Sequence, residues 1–157
     1  MIEGASIQPD SLEFRNHLRA VRWMMKYPDE RRVDKETILE LHRRLMRGIM
    51  RDAGRLRNCE VFIAGHRGVR SDRLPAEMEK LEQEIQKCAG DENNIWNLHH
   101  KFEVMHPFID GNGRVGRMLL NLLRLRAGLT FLIVFYEKRQ EYYDMIENYR
   151  RDVVGDR

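Results

Sequence analysis

The chain has 157 residues, of which 42% are hydrophobic and 34% charged, with 28 basic and 25 acidic side chains and a net charge of +3. That balance fits one soluble domain, residues 1–157, able to bury its own core; the two cysteines, Cys59 and Cys88, exclude a disulfide framework. No apolar run reaches membrane-spanning length, the start Met1-Ile2-Glu3-Gly4 lacks a signal-peptide pattern, and near charge balance gives no long nucleic-acid stripe, so a cytoplasmic protein with no membrane or nucleic-acid partner is expected.

Six helices are predicted, in chain order. The first spans Ser11 to Tyr27, with apolar Leu12, Leu18, Val21, Met24 and Met25, and stops near Pro28. Asp34 is a candidate N-cap for the second, whose stripe of Ile38, Leu41, Leu45 and Ile49 carries it toward Gly54. Arg43, Arg44, Arg47 and Arg51 share its helical spacing and read as a solvated face. Residues 55–74 break the pattern. There Cys59-Glu60-Val61-Phe62-Ile63 is short and alternating, with Gly65 and Gly68 behind it, which predicts a β-hairpin on an otherwise helical protein. Pro75 opens the third helix, through Met78, Leu81 and Ile85 to a stop near Gly90. Asn93 or Asn94 caps the fourth, which stops at Pro107. The fifth runs from about Arg114 to Ala127 with Gly128 as its terminator, and the sixth from about Glu137 to Arg151. The fold class is therefore all-α, a compact bundle with one small hairpin.

The most chemical stretch is His106-Pro107-Phe108-Ile109-Asp110-Gly111-Asn112-Gly113-Arg114-Val115-Gly116-Arg117. Asn112 between two glycines can alternate backbone conformations and so aim successive N–H groups at an anion. A helix beginning at Gly113 or just after it adds free amides and the positive end of its dipole. Arg114 and Arg117 lie three apart and share a face, so both can reach one polyphosphate. Asp110 is a hard oxygen donor of the kind that holds Mg²⁺ against phosphates. His106 is the member of the group able to accept a proton near neutral pH. His99, Glu103 and His106 also fall at i, i+4 and i+7, a spacing zinc sites use. However, Pro107 ends the helix at His106, and a zinc triad is the weaker reading.

This run resembles the signature of the Fic family, H-x-F-x-D/E-G-N-G-R-x-x-R, at every fixed position. The likeness extends from about residue 37 to 151, through Leu98-His99-His100-Lys101-Phe102-Glu103, Leu119-Leu120-Asn121-Leu122-Leu123 and Arg126-Ala127-Gly128-Leu129. It implies a Fic-type helical bundle that transfers AMP from ATP, with Mg²⁺, to a hydroxyl side chain of a target protein, itself included. In that reading His106 is catalytic and Asp110 holds the metal. Gly111, Asn112, Gly113, Arg114, Gly116 and Arg117 bind nucleotide, and Tyr142 and Tyr143 resemble a pair lining the family's nucleotide pocket. Phe108 packs under the loop, and Asn121 is structural. The hairpin would be a flap whose Cys59, Glu60, Val61 and Phe62 dock the target segment by backbone pairing; the alternative is a hairpin that only covers the core.

Other readings stay open. The Doc branch transfers phosphate, but resembles a motif with Lys where this chain has Gly113. A nucleotide-gated, non-catalytic interaction domain is a third, and a homo-oligomer is compatible with any of them. Ile2-Glu3-Gly4 resembles the end of an inhibitory S/T-x-x-x-E-G/N motif, which would set Glu3 against Arg117; an ordinary frayed terminus is the alternative.

Overall fold

Three helices start where a short oxygen-bearing side chain accepts a first-turn amide. The computed structural model describes residues 11–27, 32–63 and 65–154, so the Glu3 reading falls outside the described residues. Helix α1 (Leu12–Met25) is capped by Ser11, whose Oγ accepts from the Phe14 amide at 3.2 Å. Helix α2 (Lys35–Met46) opens on a reciprocal capping box. The Thr37 amide donates to Asp34 Oδ1 at 2.8 Å, and the Asp34 amide donates to Thr37 Oγ1 at 3.3 Å. Helix α3 (Leu74–Lys87) carries Pro75 in its first turn, where a missing N–H costs nothing. Helix α4 (Glu92–Met105) is capped by Asp91, not by Asn93 or Asn94 as expected: the Asn94 amide donates to Asp91 Oδ1 at 2.9 Å. A carboxylate also suits the positive end of the helix dipole better than an amide does. Helices α5 (Asn112–Arg126) and α6 (Arg139–Val154) complete the set.

Two boundaries differ from the periodicity. Helix α2 stops at Met46 instead of running toward Gly54, and Asn16 of α1 closes it, donating to the carbonyls of Leu45 (3.2 Å) and Arg47 (2.7 Å). Ile49 is consequently exposed and Arg47 and Arg51 leave the Arg43–Arg44 helix. Helix α5 begins at Asn112, two residues before the expected Arg114.

The hairpin is smaller than predicted. Strand β1 (Phe62–Ile63) pairs antiparallel with β2 (His66–Arg67), with Phe62 opposite Arg67 and Ile63 opposite His66. Cys59, Glu60 and Val61 form the approach, not the strand. Side chains there take over ladder partners: Arg57 Nη1 donates to the Cys59 carbonyl at 2.7 Å, while Glu60 accepts from Arg67 Nε at 3.1 Å and the Ser71 amide at 3.3 Å.

Helix α5 runs through the middle, packed on α4, α2 and α1, and α6 and α3 lie against α4. Phe102, Phe108, Ile38, Leu41 and Leu119 are among the fully buried side chains. Each such burial contributes about 1.5–3 kcal/mol, and Phe102 and Phe108 place two of them on either side of the α4–α5 junction. No helix among the described residues is long and apolar enough to cross a membrane.

Candidate active site

The loop joining α4 to α5 begins at His106, the C-cap of α4, in the left-handed region at φ 51°. Among the described residues it is the one non-glycine with positive φ. Such a conformation costs roughly 1–2 kcal/mol for a residue with a Cβ, so the neighbours must hold it. Arg57 does so. Its Nε donates to the His106 carbonyl at 2.7 Å, its backbone amide to the Pro107 carbonyl at 2.9 Å, and its Nη2 to the Val69 carbonyl on the far side of the hairpin. One buried guanidinium thus ties the hairpin base to the α4–α5 loop.

Below the loop, Phe108 is buried and lies flat on His42, with ring centroids 3.8 Å apart and 1° between planes. His42 Nδ1 accepts from the Gly54 amide at 2.7 Å, which leaves Nε2 to donate to the Asp110 carbonyl at 3.1 Å. Burial holds His42 down to about 4, so the ring is neutral and its tautomer fixed. Asn112 braces the same loop with its side chain. Its Oδ1 accepts from the Phe108 amide and its Nδ2 donates to the Phe108 carbonyl, both at 2.9 Å. This corrects the expectation of an alternating backbone around Asn112: Gly111, at φ 81°, makes the left-handed turn, and Asn112 and Gly113 are helical.

Among the described residues no side chain caps α5, whose first-turn amides lie at the positive end of the central helix. The Arg117 guanidinium folds back over this end, since a Cβ at Gly113 would stand 3.0 Å from its Nη1. Arg114 is held by Glu13 of α1 and, at 3.5 Å, by Asp110 Oδ2. The Asp110 side chain is 64% exposed at the mouth, and its Oδ1 accepts from the Gly111 amide at 2.6 Å. Burial, reinforced by Arg57 and opposed by the bond to Glu103, keeps the His106 ring below the usual histidine range. With His106 Nδ1 3.3 Å from the Glu103 carbonyl, which can only accept, the proton belongs on Nδ1 and the free lone pair on Nε2. The arrangement is a neutral base beside an uncapped helix end carrying two arginines.

Two expected nucleotide contacts lie elsewhere. Gly116 is buried against α4, its carbonyl accepting from His99 Nδ1 at 3.0 Å; it is a close-packing residue, because a side chain there would overlap Glu103. Tyr142 is only 4% exposed and bonds His99 Nε2 at 2.7 Å, which makes it part of the core. Tyr143 is 49% exposed and lines a cavity of about 420 Å³ between the hairpin and α6, shared with Ile63, Val69 and Glu103. A second cavity, about 490 Å³, opens beside Arg114 and Arg117 between α1 and residues 131–137. Asn121 is structural as expected, its amide group bridging to the Leu132 backbone at 2.7 and 3.0 Å. Sequence reasoning missed His42 and Arg57. His42 had a signal, since it occupies a core-facing position of the Ile38–Leu45 stripe. Arg57 had only its place in Ala53-Gly54-Arg55-Leu56-Arg57, a stretch that resembles the Fic family's entry into the hairpin, because a buried arginine otherwise reads like a surface one.

Residues 32–123 match the family model described as Fic/DOC family. This chain belongs to the Fic/DOC family. It is 30% identical over 152 residues to the "Protein adenylyltransferase Fic" of Drosophila grimshawi, covering 90% of this chain and 32% of that protein. The Drosophila erecta protein of the same name is also 30% identical, over 156 residues, with 90% and 31% covered. The chain spans about a third of the length of these curated relatives. Among solved structures, Fic-1 from C. elegans matches with a TM-score of 0.76 at 28% identity, covering 94% of this chain and 46% of that one. A Fic-domain signaling protein from Bacteroides thetaiotaomicron shares the fold, with a TM-score of 0.75 at 23% identity over 86% of this chain and 55% of that chain. The all-α Fic bundle with its small hairpin is thus the fold of this chain, and the Fic signature is the α4–α5 junction just described.

Proposed function

We propose that this chain is a protein adenylyltransferase, transferring AMP from ATP to a hydroxyl side chain of a target protein. The observation that carries the reading is the uncapped N-terminus of α5, flanked by Arg117 and reached by the same short loop that begins with a neutral His106. The first-turn amides and the helix dipole receive the phosphates, with Arg114 and Arg117 gripping the β and γ ends. For Arg114 this means exchanging its bond to Glu13 for one to phosphate. His106 Nε2 takes the proton of the incoming hydroxyl. The hydroxyl oxygen forms a bond to the α-phosphorus as the bond to the bridging oxygen breaks, and pyrophosphate leaves with that electron pair. Most of the rate gain is positioning and fixed charge.

Asp110 is chemically suited to Mg²⁺, which is ordinarily held by one or two carboxylates together with substrate phosphates. Bound there, the ion would offset phosphate charge and make pyrophosphate a less basic leaving group. The nucleoside fits the cavity under the hairpin, where Tyr143 offers a half-exposed ring. The hairpin then serves as the docking flap, with backbone at Cys59–Phe62 pairing the target segment and Phe62, 73% exposed, covering it. Support for the activity comes from the names of the relatives and the chemistry of the junction. Incubation with ATP and Mg²⁺ followed by mass spectrometry tests it: an added AMP supports the reading, and an added phosphate or no change overturns it.

A further inference from the structure

Between the α4–α5 loop and the segment entering the hairpin lies a cleft of about 140 Å³, which the chemistry proposed for His106 and Asp110 leaves unused. Apolar Met50, Leu56 and Ile109 line it together with polar Asp52, Arg55 and Arg57. Small-molecule sites occupy roughly 300–1,000 Å³, so this one suits a single side chain. Arg57 fixes where the cleft lies. Its amide donates to the Pro107 carbonyl at 2.9 Å and its Nε to the His106 carbonyl at 2.7 Å, so the entering segment runs beside the residues from His106 to Ile109.

The backbone of this segment is set, and one side chain on it is not. The Arg55 amide donates to the Asp52 carbonyl at 3.0 Å, and the Gly54 amide is held by His42 Nδ1 at 2.7 Å. Gly54 makes the turn at φ 82°. Beyond it the Arg55 side chain is 78% exposed. Its one ion pair among the described residues is to Asp52 at 3.8 Å, too long for a hydrogen bond. Ile109, supplied by the α4–α5 loop, is 50% exposed.

The charge around the cleft is mostly of one sign. Residues 51–73 hold six arginines against three carboxylates. Two of the three carboxylates are already bonded. Glu60 accepts from Arg67 Nε at 3.1 Å, and Asp72 takes two bonds from Arg70, at 3.1 and 2.7 Å. Arg57 spends its guanidinium on backbone carbonyls. A partly apolar cleft on a cationic surface complements a side chain made of methylenes and a carboxylate.

We infer that this cleft is a subsite for a glutamate of the target segment, with Met50, Leu56 and Ile109 against its methylenes and Arg55 on its carboxylate. The inference rests on the reading of the hairpin as the docking flap. A segment added to the hairpin approach as a strand alternates its side chains. The residue two positions from the modified hydroxyl then shares its side, and the immediate neighbours face away. The glutamate therefore belongs two positions before or after the modified residue. Arg55 sets specificity and takes no part in holding ATP.

The test is the initial rate of AMP transfer, read by mass spectrometry, to short peptides with one central serine, threonine or tyrosine among alanines and glutamines. Glutamate, glutamine or lysine is placed in turn at each position within two residues of the centre, and the wild type is compared with Arg55→Glu. The wild type should prefer glutamate to lysine by about three- to tenfold at one of the positions two residues away, with little preference at the immediate neighbours. Arg55→Glu should reverse that preference. Its Kd for ATP should stay at the wild-type value, which also shows that the variant is folded. The same ranking in both proteins, or a preference confined to the immediate neighbours, overturns the inference. If neither the peptides nor the chain itself gains AMP, the transferase reading falls and takes this inference with it. Self-modification with peptide transfer that is absent, or indifferent to the flanking charge, removes this inference alone.

Discussion

His106 combines a left-handed backbone held by Arg57, an Nδ1 proton fixed by the Glu103 carbonyl, and a pKa lowered by burial with Arg57 adding to it. None of those groups holds phosphate. His106→Ala should therefore lose transfer by about 10²–10⁴ while ATP titrations remain near the wild-type value; near-normal transfer by the variant would remove His106 from its role. Asp110→Ala should erase most of the difference between ATP affinities measured with and without Mg²⁺. An unchanged difference would reduce Asp110 to a turn residue serving the Gly111 amide. At this scale the sequence was legible where a motif fixes the order of residues, since His106 and Asp110 fall on the one short loop between α4 and α5. It was not legible where packing decides. Gly116 and Tyr142 sit inside a motif and a likeness that name them as nucleotide contacts, yet α4 crosses α5 so closely that one is a packing slot and the other a buried donor.

The elements were read better than their ends. Helix α2 was overextended because Ile49 keeps the apolar period, and only the distant Asn16 side chain, spending its amide on two α2 carbonyls, shows why the helix stops. The hairpin was placed correctly but drawn too long, since Arg57 and Glu60 bind the backbone that a longer ladder would need. Arg57→Lys keeps the charge but loses the fork that reaches the carbonyls of His106, Cys59 and Val69 together. It should cost about 1–3 kcal/mol in urea unfolding and speed amide exchange in both the hairpin and the α4–α5 loop. Faster exchange in the hairpin alone would mean that the two are not coupled through Arg57. Gly116→Ala puts a methyl group into Glu103 and against Phe102. An overpacking loss of about 1–3 kcal/mol is expected, and wild-type stability in the variant would show that α4 and α5 have slack there.

Across the whole molecule, buried titratable groups make stability depend on pH. His42 and His99 are depressed in the folded state to about 4 and about 3, so the unfolded chain binds more protons below about pH 6.5. Their stabilisation is complete above that pH and fades as pH falls toward 4. Glu103 acts with the opposite sign: raised to about 7 when folded, it binds a proton that the unfolded chain releases above about pH 4.5, so it favours folding at the acid side. Between about pH 4.5 and 6.5 these two histidines and this carboxyl alone give a net rise with pH of about 1.4 kcal/mol per unit. His17, held down to about 4 by burial, adds to it, as do His100 and His106, also lowered by burial. Glu103→Gln should steepen the slope by about 1.4 kcal/mol per unit in urea titrations, and an unchanged slope would mean that Glu103 titrates alike in both states.

The α4–α5 junction is proposed above as a centre for AMP transfer. Its most direct test is the intact mass of the purified chain, and of candidate target proteins mixed with it, after incubation with ATP and Mg²⁺. The predicted result is the added mass of AMP on a hydroxyl-bearing residue, present with the wild type and lost with His106→Ala. Added phosphate, or an AMP adduct that persists undiminished in the alanine variant, would contradict it.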